Sequence, residues 1–267
     1  DACGIQSLAL DVTAFDCTAI GANTVTLTVT DNNNNVSTCT ATVTVEDNVD
    51  PVAICQDITV QLDAAGAASI TTADIDNGSN DACGIQSLAL DVTAFDCTDV
   101  GTNTVTLTVT DNNNNVSTCT ATVTVEDNVD PVAICQDITV QLDATGNVSI
   151  TATQIDNGSN DACGIASLSV LPNSFTCANV GTNQVVLTVT DNNGNVSTCT
   201  ATVTVQDNVV PVATCQNITI QLDQFGNASI LPEDIDNGSN DNCSFLLSLD
   251  NDTFNCSNLG DNTVFLT

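Results

Sequence analysis

The side chains of this protein that could do chemistry are carboxylates and thiols, and little else. Its 267 residues include 33 Asp and Glu, 14 Cys and no Lys, Arg or His. No imidazole or amine can act as a base or ligate a metal, and no ion pair can form between side chains. A formal charge of −33 at pH 7 excludes nucleic acid as a partner, because phosphate binding needs cations. The same charge repels itself in any compact fold unless salt or bound cations screen it.

The carboxylates are clustered. With the strand order read below, three segments meet at one end of each repeat: an acidic linker, a loop of sequence ADIDNGSNDAC and a hairpin turn. One such end gathers Glu46, Asp47, Asp50, Asp74, Asp76, Asp81 and Asp111, and the next gathers Glu126, Asp127, Asp130, Asp156, Asp161 and Asp191. All offer hard oxygens of the kind calcium collects, about six to eight at a time. The expectation is a calcium ion at each junction, neutralising charge that no Lys or Arg can and stiffening the linker, as in cadherin linkers by analogy. Gln206, Val210 and Gln154 interrupt the pattern further along, so a calcium-clamped third junction should be weaker. The competing reading is that these Asp residues form turns on a solvated surface. DIDNGSND lacks the Glu that closes an EF-hand loop. Paired carboxylates also serve glycosidases, but here the same pairs recur in every copy and there is no Trp or Tyr platform. No enzyme is expected.

The thiols recur at fixed places: Cys3, Cys17, Cys39 and Cys55, then the same four positions 80 and 160 residues on, with Cys243 and Cys256 in the last copy. Regular cysteines indicate an oxidising, extracellular compartment, and without His or C-x-x-C a zinc site is not expected. Short loops favour Cys3–Cys17, Cys83–Cys97, Cys163–Cys177 and Cys243–Cys256, each worth on the order of 3 kcal/mol if unstrained. Cys55 could join Cys39 across the linker or Cys119 in its own repeat. If the first and last strands of a sandwich run parallel, Cys55 lies beside Cys119, and Cys39 is well over 20 Å away at about 3.3 Å per residue. Cys55–Cys119 and Cys135–Cys199 are therefore expected, with Cys39 and Cys215 separated from partners by the ends of the chain.

The elements that must position these groups follow from a period of 80 residues, marked by DACGI at 1, 81 and 161 and DNCSF at 241. VTLTVTDNNNNVSTCTATVTV, from Val25 to Val45, alternates apolar residues with Thr on both sides of an Asp–Asn turn, which predicts a β-hairpin. A proline at 51 ends the acidic linker behind it. Cutting there gives part of a repeat at 1–46, whole repeats at 47–126 and 127–206, and part of a fourth at 207–267. Strands are expected near 56–62, 67–72, 84–90, 103–110 and 116–126, with Phe95 in the core. The fold class is all-β: tandem, disulfide-bonded, immunoglobulin-like β-sandwiches arranged as an elongated rod.

The pattern P-x-x-x-C, DNGSNDACG, then F-x-C-x-x-x-G-x-N-x-V-x-L-x-V-x-D-x-x-x-N-x-S-x-C resembles the hyalin-type (HYR) repeats and related immunoglobulin-like repeats of giant Bacteroidetes cell-surface adhesins. The resemblance runs over all four copies. Many hyalin-type repeats have Gly in the last hairpin turn; only Gly194 keeps it here, against NNNN in the first two copies. The resemblance implies a surface filament exported by a gliding-associated secretion system. Its partners would be other repeats of the same long chain, surface polysaccharide, or the secretion and motility machinery, with no membrane insertion by this segment. The function expected is a structural stalk holding an adhesive tip away from the cell. The alternative is that the repeats themselves bind polysaccharide or partner cells through number.

Overall fold

A computed structural model describes residues 2–267. The chain divides into two compact units, Asp1–Val129 and Asp130–Thr267. In the first, β1 (Ile5–Leu10), β2 (Gly21–Asp31) and β3 (Val36–Val45) form one sheet. They are followed by β4 (Ile58–Gln61), β5 (Ala67–Ser69), the one-turn helix α1 (Thr72–Ile75), β6 (Ile85–Leu90), β7 (Ala94–Asp96), β8 (Gly101–Asp111) and β9 (Val116–Glu126). These make a four-stranded sheet of order β4-β9-β8-β6 and a two-stranded sheet β5-β7. The second unit repeats the plan with β10 (Ile138–Gln141), β11 (Asn147–Ser149), α2 (Ala152–Ile155), β12 (Ile165–Leu171), β13 (Ser174–Thr176), β14 (Gly181–Asp191) and β15 (Val196–Gln206). It ends with β16 (Asn227–Ser229), α3 (Pro232–Ile235) and β17 (Thr253–Asn255).

The Thr/apolar alternation sorts the two faces of the main sheet. Val105, Leu107, Val109, Val123 and Val125 are buried, while Thr104, Thr120 and Thr122 on the same strands face solvent and Thr106, Thr108 and Thr124 are half-buried. Period-two alternation does this because successive Cβ atoms point to opposite faces. Phe95 of β7 and Ile75 of α1 are buried too. In the second unit their counterparts Phe175 and Ile155 share one core cluster with Val185, Leu187, Val203 and Val205. Two β-layers around one apolar core make an immunoglobulin-like β-sandwich. In the leading sheet Leu8 is 64% exposed, whereas its counterpart Leu88 is half-buried. β1 to β3 lack the second layer that covers the whole repeat.

β4 runs parallel to β9, with Ile58 opposite Val123 and Gln61 opposite Glu126. The first and last strands of the repeat are thus direct neighbours, and the chain enters at one end of the sandwich and leaves at the other. Cys55 is bonded to Cys119 and, in the second unit, Cys135 to Cys199, the pairs that parallel terminal strands predict.

The short-loop pairings are corrected. Cys17 is bonded to Cys83 and Cys177 to Cys243, so Cys3–Cys17, Cys83–Cys97, Cys163–Cys177 and Cys243–Cys256 do not form. Cys97 and Cys163 are disulfide-bonded as well, while Cys39, Cys215 and Cys256 are exposed thiols. The physical reason lies in β6. Cys83 stands just before that strand, near the hairpin turn that Ile85 meets through Asp111. Cys97 stands after β7, beside Gly66 at the β4–β5 turn. Six residues of extended chain cover about 20 Å, far beyond the roughly 7 Å that a disulfide tolerates between Cα atoms. A short sequence gap is no guide when a strand fills it.

The turns between β2 and β3 and between β8 and β9 show how NNNN replaces a glycine. Asn34 (φ 69°) and Asn114 (φ 70°) are left-handed, as is Gly194 (φ 96°) at the matching place. Asn is the non-glycine residue that most readily adopts this region. Asn114→Gly is expected to be neutral or to raise Tm by a degree or two, and Asn114→Val to lower it by several degrees, since a β-branched residue resists positive φ. Thermal melting of the two variants checks this.

Candidate cation site at the repeat junction

The chain between Val45 and Pro51 leads from β3 into the first whole repeat, and neutral donors hold it. Asn115, in the β8–β9 turn, donates from Nδ2 to the Asp47 carbonyl at 3.2 Å. Asp47 Oδ1 accepts from the Val49 backbone at 3.1 Å, while its Oδ2 is buried without a hydrogen-bond partner. Asp81 Oδ1 accepts from the Cys83 backbone at 2.7 Å. Ligand atoms of Asp47, Asp81 and Cys83 all lie within 4.8 Å of one another. The sulfur belongs to the Cys17–Cys83 disulfide, so it is no thiolate, and the ligand set is two carboxylates from two segments. A buried carboxylate oxygen facing a second carboxylate, in a chain with no cationic side chain, fits a hard cation completed by carbonyls, amides and water.

The other acids expected here are spread over separate tasks. Asp74 caps α1, accepting from the Thr71 backbone and hydroxyl at 2.7 Å each, and the Thr71 hydroxyl first, then its N–H, hold its carboxyl below the usual range. Asp76 accepts from the Ser79 backbone at 3.0 Å and is likewise lowered, chiefly by Ser79. Asp111 is fully buried and closes its own turn, accepting from the backbones of Asn113 at 2.8 Å and Asn115 at 2.7 Å and from Asn115 Nδ2 at 2.8 Å. Burial pushes its carboxyl up, and the hydrogen bonds from Asn115, Asn113 and Asn114 outweigh that and leave it low. Glu46 and Asp50 are exposed, and Glu46 reaches only Asn48, at 3.4 Å. Glu126 accepts from Gln61 Nε2 at 2.7 Å, and Asp127 accepts from the Val129 backbone at 3.1 Å.

In the second unit, Asp130 is exposed, Asp156 accepts from Ser159 at 3.0 Å and Asp161 from Cys163 at 2.7 Å. Asp191 repeats the buried turn of Asp111, with Asn193 at 2.9 Å and Asn195 at 2.8 Å. The junction after β15 differs from the first. Asn242, where other copies have Ala, donates to the Asp143 carbonyl at 3.0 Å and to Asp207 Oδ1 at 3.2 Å. The approach is so close that a Cβ on Gly146 would sit 2.7 Å from both the Asn242 carbonyl oxygen and Cys177 Sγ. The joint with fewer acids thus gains a second asparagine contact, from Asn242 to the Asp207 carboxylate. Nothing in the sequence marks Asn115 as a junction residue; the signal for Asn242 is the change from DACG to DNCS, which replaces Ala by Asn and Gly by Ser.

A low native carboxyl pKa stabilises the fold above the unfolded value and is lost as pH falls through the native one. With 3.8 as the ordinary value, the contribution of Asp111, Asp191, Asp74 and Asp76 is expected to be complete above about pH 5 and to fade below about pH 4. Melting temperature measured against pH at high salt, which screens general repulsion, should be flat and then fall. Asp111→Asn places an amide donor against the Asn115 donor; it is expected to lower Tm at pH 7 by on the order of 5 °C and to flatten that acid limb.

No family model and no curated protein matches the chain. Among solved structures it is similar to the extracellular cadherin domains 1–4 of protocadherin gamma B7, at 12% identity over 92% of this chain and 78% of that one, with a TM-score of 0.34. It is similar to mouse clustered PcdhgC3 EC1–3 at 14% identity, over 73% and 82%, with a TM-score of 0.31. It is also similar to human protocadherin-24 EC1–2 at 14% identity, over 60% and 100%, with a TM-score of 0.34.

Proposed function

We propose that this chain is part of an extracellular cell-adhesion stalk, built from sandwich repeats cut at 1–46, 47–126, 127–206 and 207–267, with calcium at acidic junctions. The observation that carries the reading is the Cys17–Cys83 disulfide, which crosses the linker beside Asp47 and Asp81. A covalent staple and a candidate cation pair at one linker serve to restrict bending between repeats. Multiple disulfides suit an oxidising compartment outside the cytosol, and among the described residues no helix is long and apolar enough to cross a membrane. A surface filament of the gliding-adhesin kind, with a specific tip carried elsewhere, is the setting in which such a stalk has most use. The near-identical copies favour a spacer over a recognition surface, because a surface selected for ligands would diversify its loops.

Calorimetric titration of calcium into the oxidised chain, with melting and small-angle scattering before and after chelation, tests this. Binding at micromolar to millimolar concentration, a raised Tm and a longer, stiffer particle are expected, and Asp47→Asn with Asp81→Asn should abolish the tightest step. No heat and no change of shape would remove calcium from the junction and leave the disulfides to stiffen it.

A further inference from the structure

The disulfides of each unit interlace, and this limits how far the chain can be drawn out. In the first unit Cys17 joins Cys83 and Cys55 joins Cys119, so each bridge has one end inside the loop that the other closes. In the second, Cys135 joins Cys199 and Cys177 joins Cys243 in the same overlapping order. Separate, side-by-side loops would leave the backbone between them as the only covalent route. Overlapping loops supply alternatives.

We propose that the chain is a tether of limited extensibility, in which interlaced bridges carry tension along redundant covalent routes even when the sandwiches unfold. The inference gives the stalk reading its mechanical property and draws its biological use from that reading. By these two bridges alone, tension passes from Cys17 to Cys83, back along about 28 residues to Cys55, and across to Cys119; fully extended at about 3.3–3.6 Å per residue this is about 100 Å. The bonds at Cys97 and Cys163 can only shorten the routes. The unbridged backbone between the same two cysteines would reach about 350 Å. From Cys135 the route crosses to Cys199, returns about 22 residues to Cys177 and crosses to Cys243, or about 80 Å. If the Cys55–Cys119 bridge is lost, the load moves to the backbone between Cys83 and Cys119, about 36 residues, which lengthens the route by only about 30 Å. If the Cys17–Cys83 bridge is lost, the backbone from Cys17 to Cys55 takes over, with a comparable small increase. The Cys55–Cys119 bridge closes a separation of 64 residues, so as the sole bypass its loss would release about 220 Å.

The test stretches the full chain between handles at its two ends in an optical trap. Expected are an oxidised contour length below half that of the reduced chain, and a gain of no more than about 30 Å in oxidised C55S/C119S. A gain near 220 Å in that variant would overturn redundancy. These lengths are covalent, so they are read equally well from a variant that fails to fold. Peptide mapping of the oxidised protein without reductant should yield Cys17 linked to Cys83 and Cys177 linked to Cys243; Cys83 linked to Cys97 would overturn the proposal. The trap lengths do not depend on calcium, so a failure of redundancy leaves the calcium-dependent change of shape in place, whereas Cys83 linked to Cys97 would also remove the staple on which the stalk reading rests.

Discussion

With no cationic side chain in the molecule, no carboxylate can be closed by a side-chain ion pair; each depends on neutral donors, on cations from solution, or goes unpartnered. The rest of the structure depends on this constraint. It explains why Asp recurs beside Asn, Ser and Thr: Asp111 with Asn115, Asp76 with Ser79 and Asp74 with Thr71 are each closed by hydrogen bonds within a few residues. Such bonds are local, so they define turns and caps without tying distant parts of the chain together. Long-range cohesion comes from apolar burial, from disulfides and from a few longer hydrogen bonds such as Gln61 to Glu126 and the Thr122 backbone to Asp57.

Apolar burial was legible in the sequence because it is periodic. Val105, Leu107 and Val109 alternate with Thr, and no other strand geometry hides them together. The parallel neighbourhood of the first and last strands followed from topology alone, and with it Cys55 beside Cys119. The bridge from Cys17 to Cys83 was not legible, because it joins residues of successive copies, and periodicity is blind to whether a partner lies in the same copy or the next. What separates Cys83 from Cys97 is the run of β6, a length in space that the short gap in sequence conceals.

At the junction, composition pooled all the acids as ligands, although several of them have local donors of their own. Asp74, Asp76 and Asp111 are engaged by their own caps and turns, and Asp47 and Asp81 are left facing each other. A carboxylate that caps a helix and one that awaits a ligand look the same in a sequence; the difference is whether a donor lies within three or four residues. The second unit meets the same mechanical need with Asn242 and the close approach of Gly146. Both joints are thus closed by an asparagine amide, Asn115 on the Asp47 carbonyl and Asn242 on the Asp143 carbonyl.

The left-handed turn residue carries a chemical consequence as well. An Asn followed by Gly readily cyclises to a succinimide and ages to aspartate or isoaspartate, because the glycine leaves its own backbone nitrogen unhindered. In the β14–β15 turn that step exists at Asn193–Gly194; in the two earlier copies Asn34 and Asn114 hold the same positive φ without it. Asparagine at that position keeps the geometry of glycine while slowing the turnover of its neighbour. At this turn the copies written NNNN age more slowly, although the DNGSND loops keep the susceptible pair at Asn77–Gly78, Asn157–Gly158 and Asn237–Gly238.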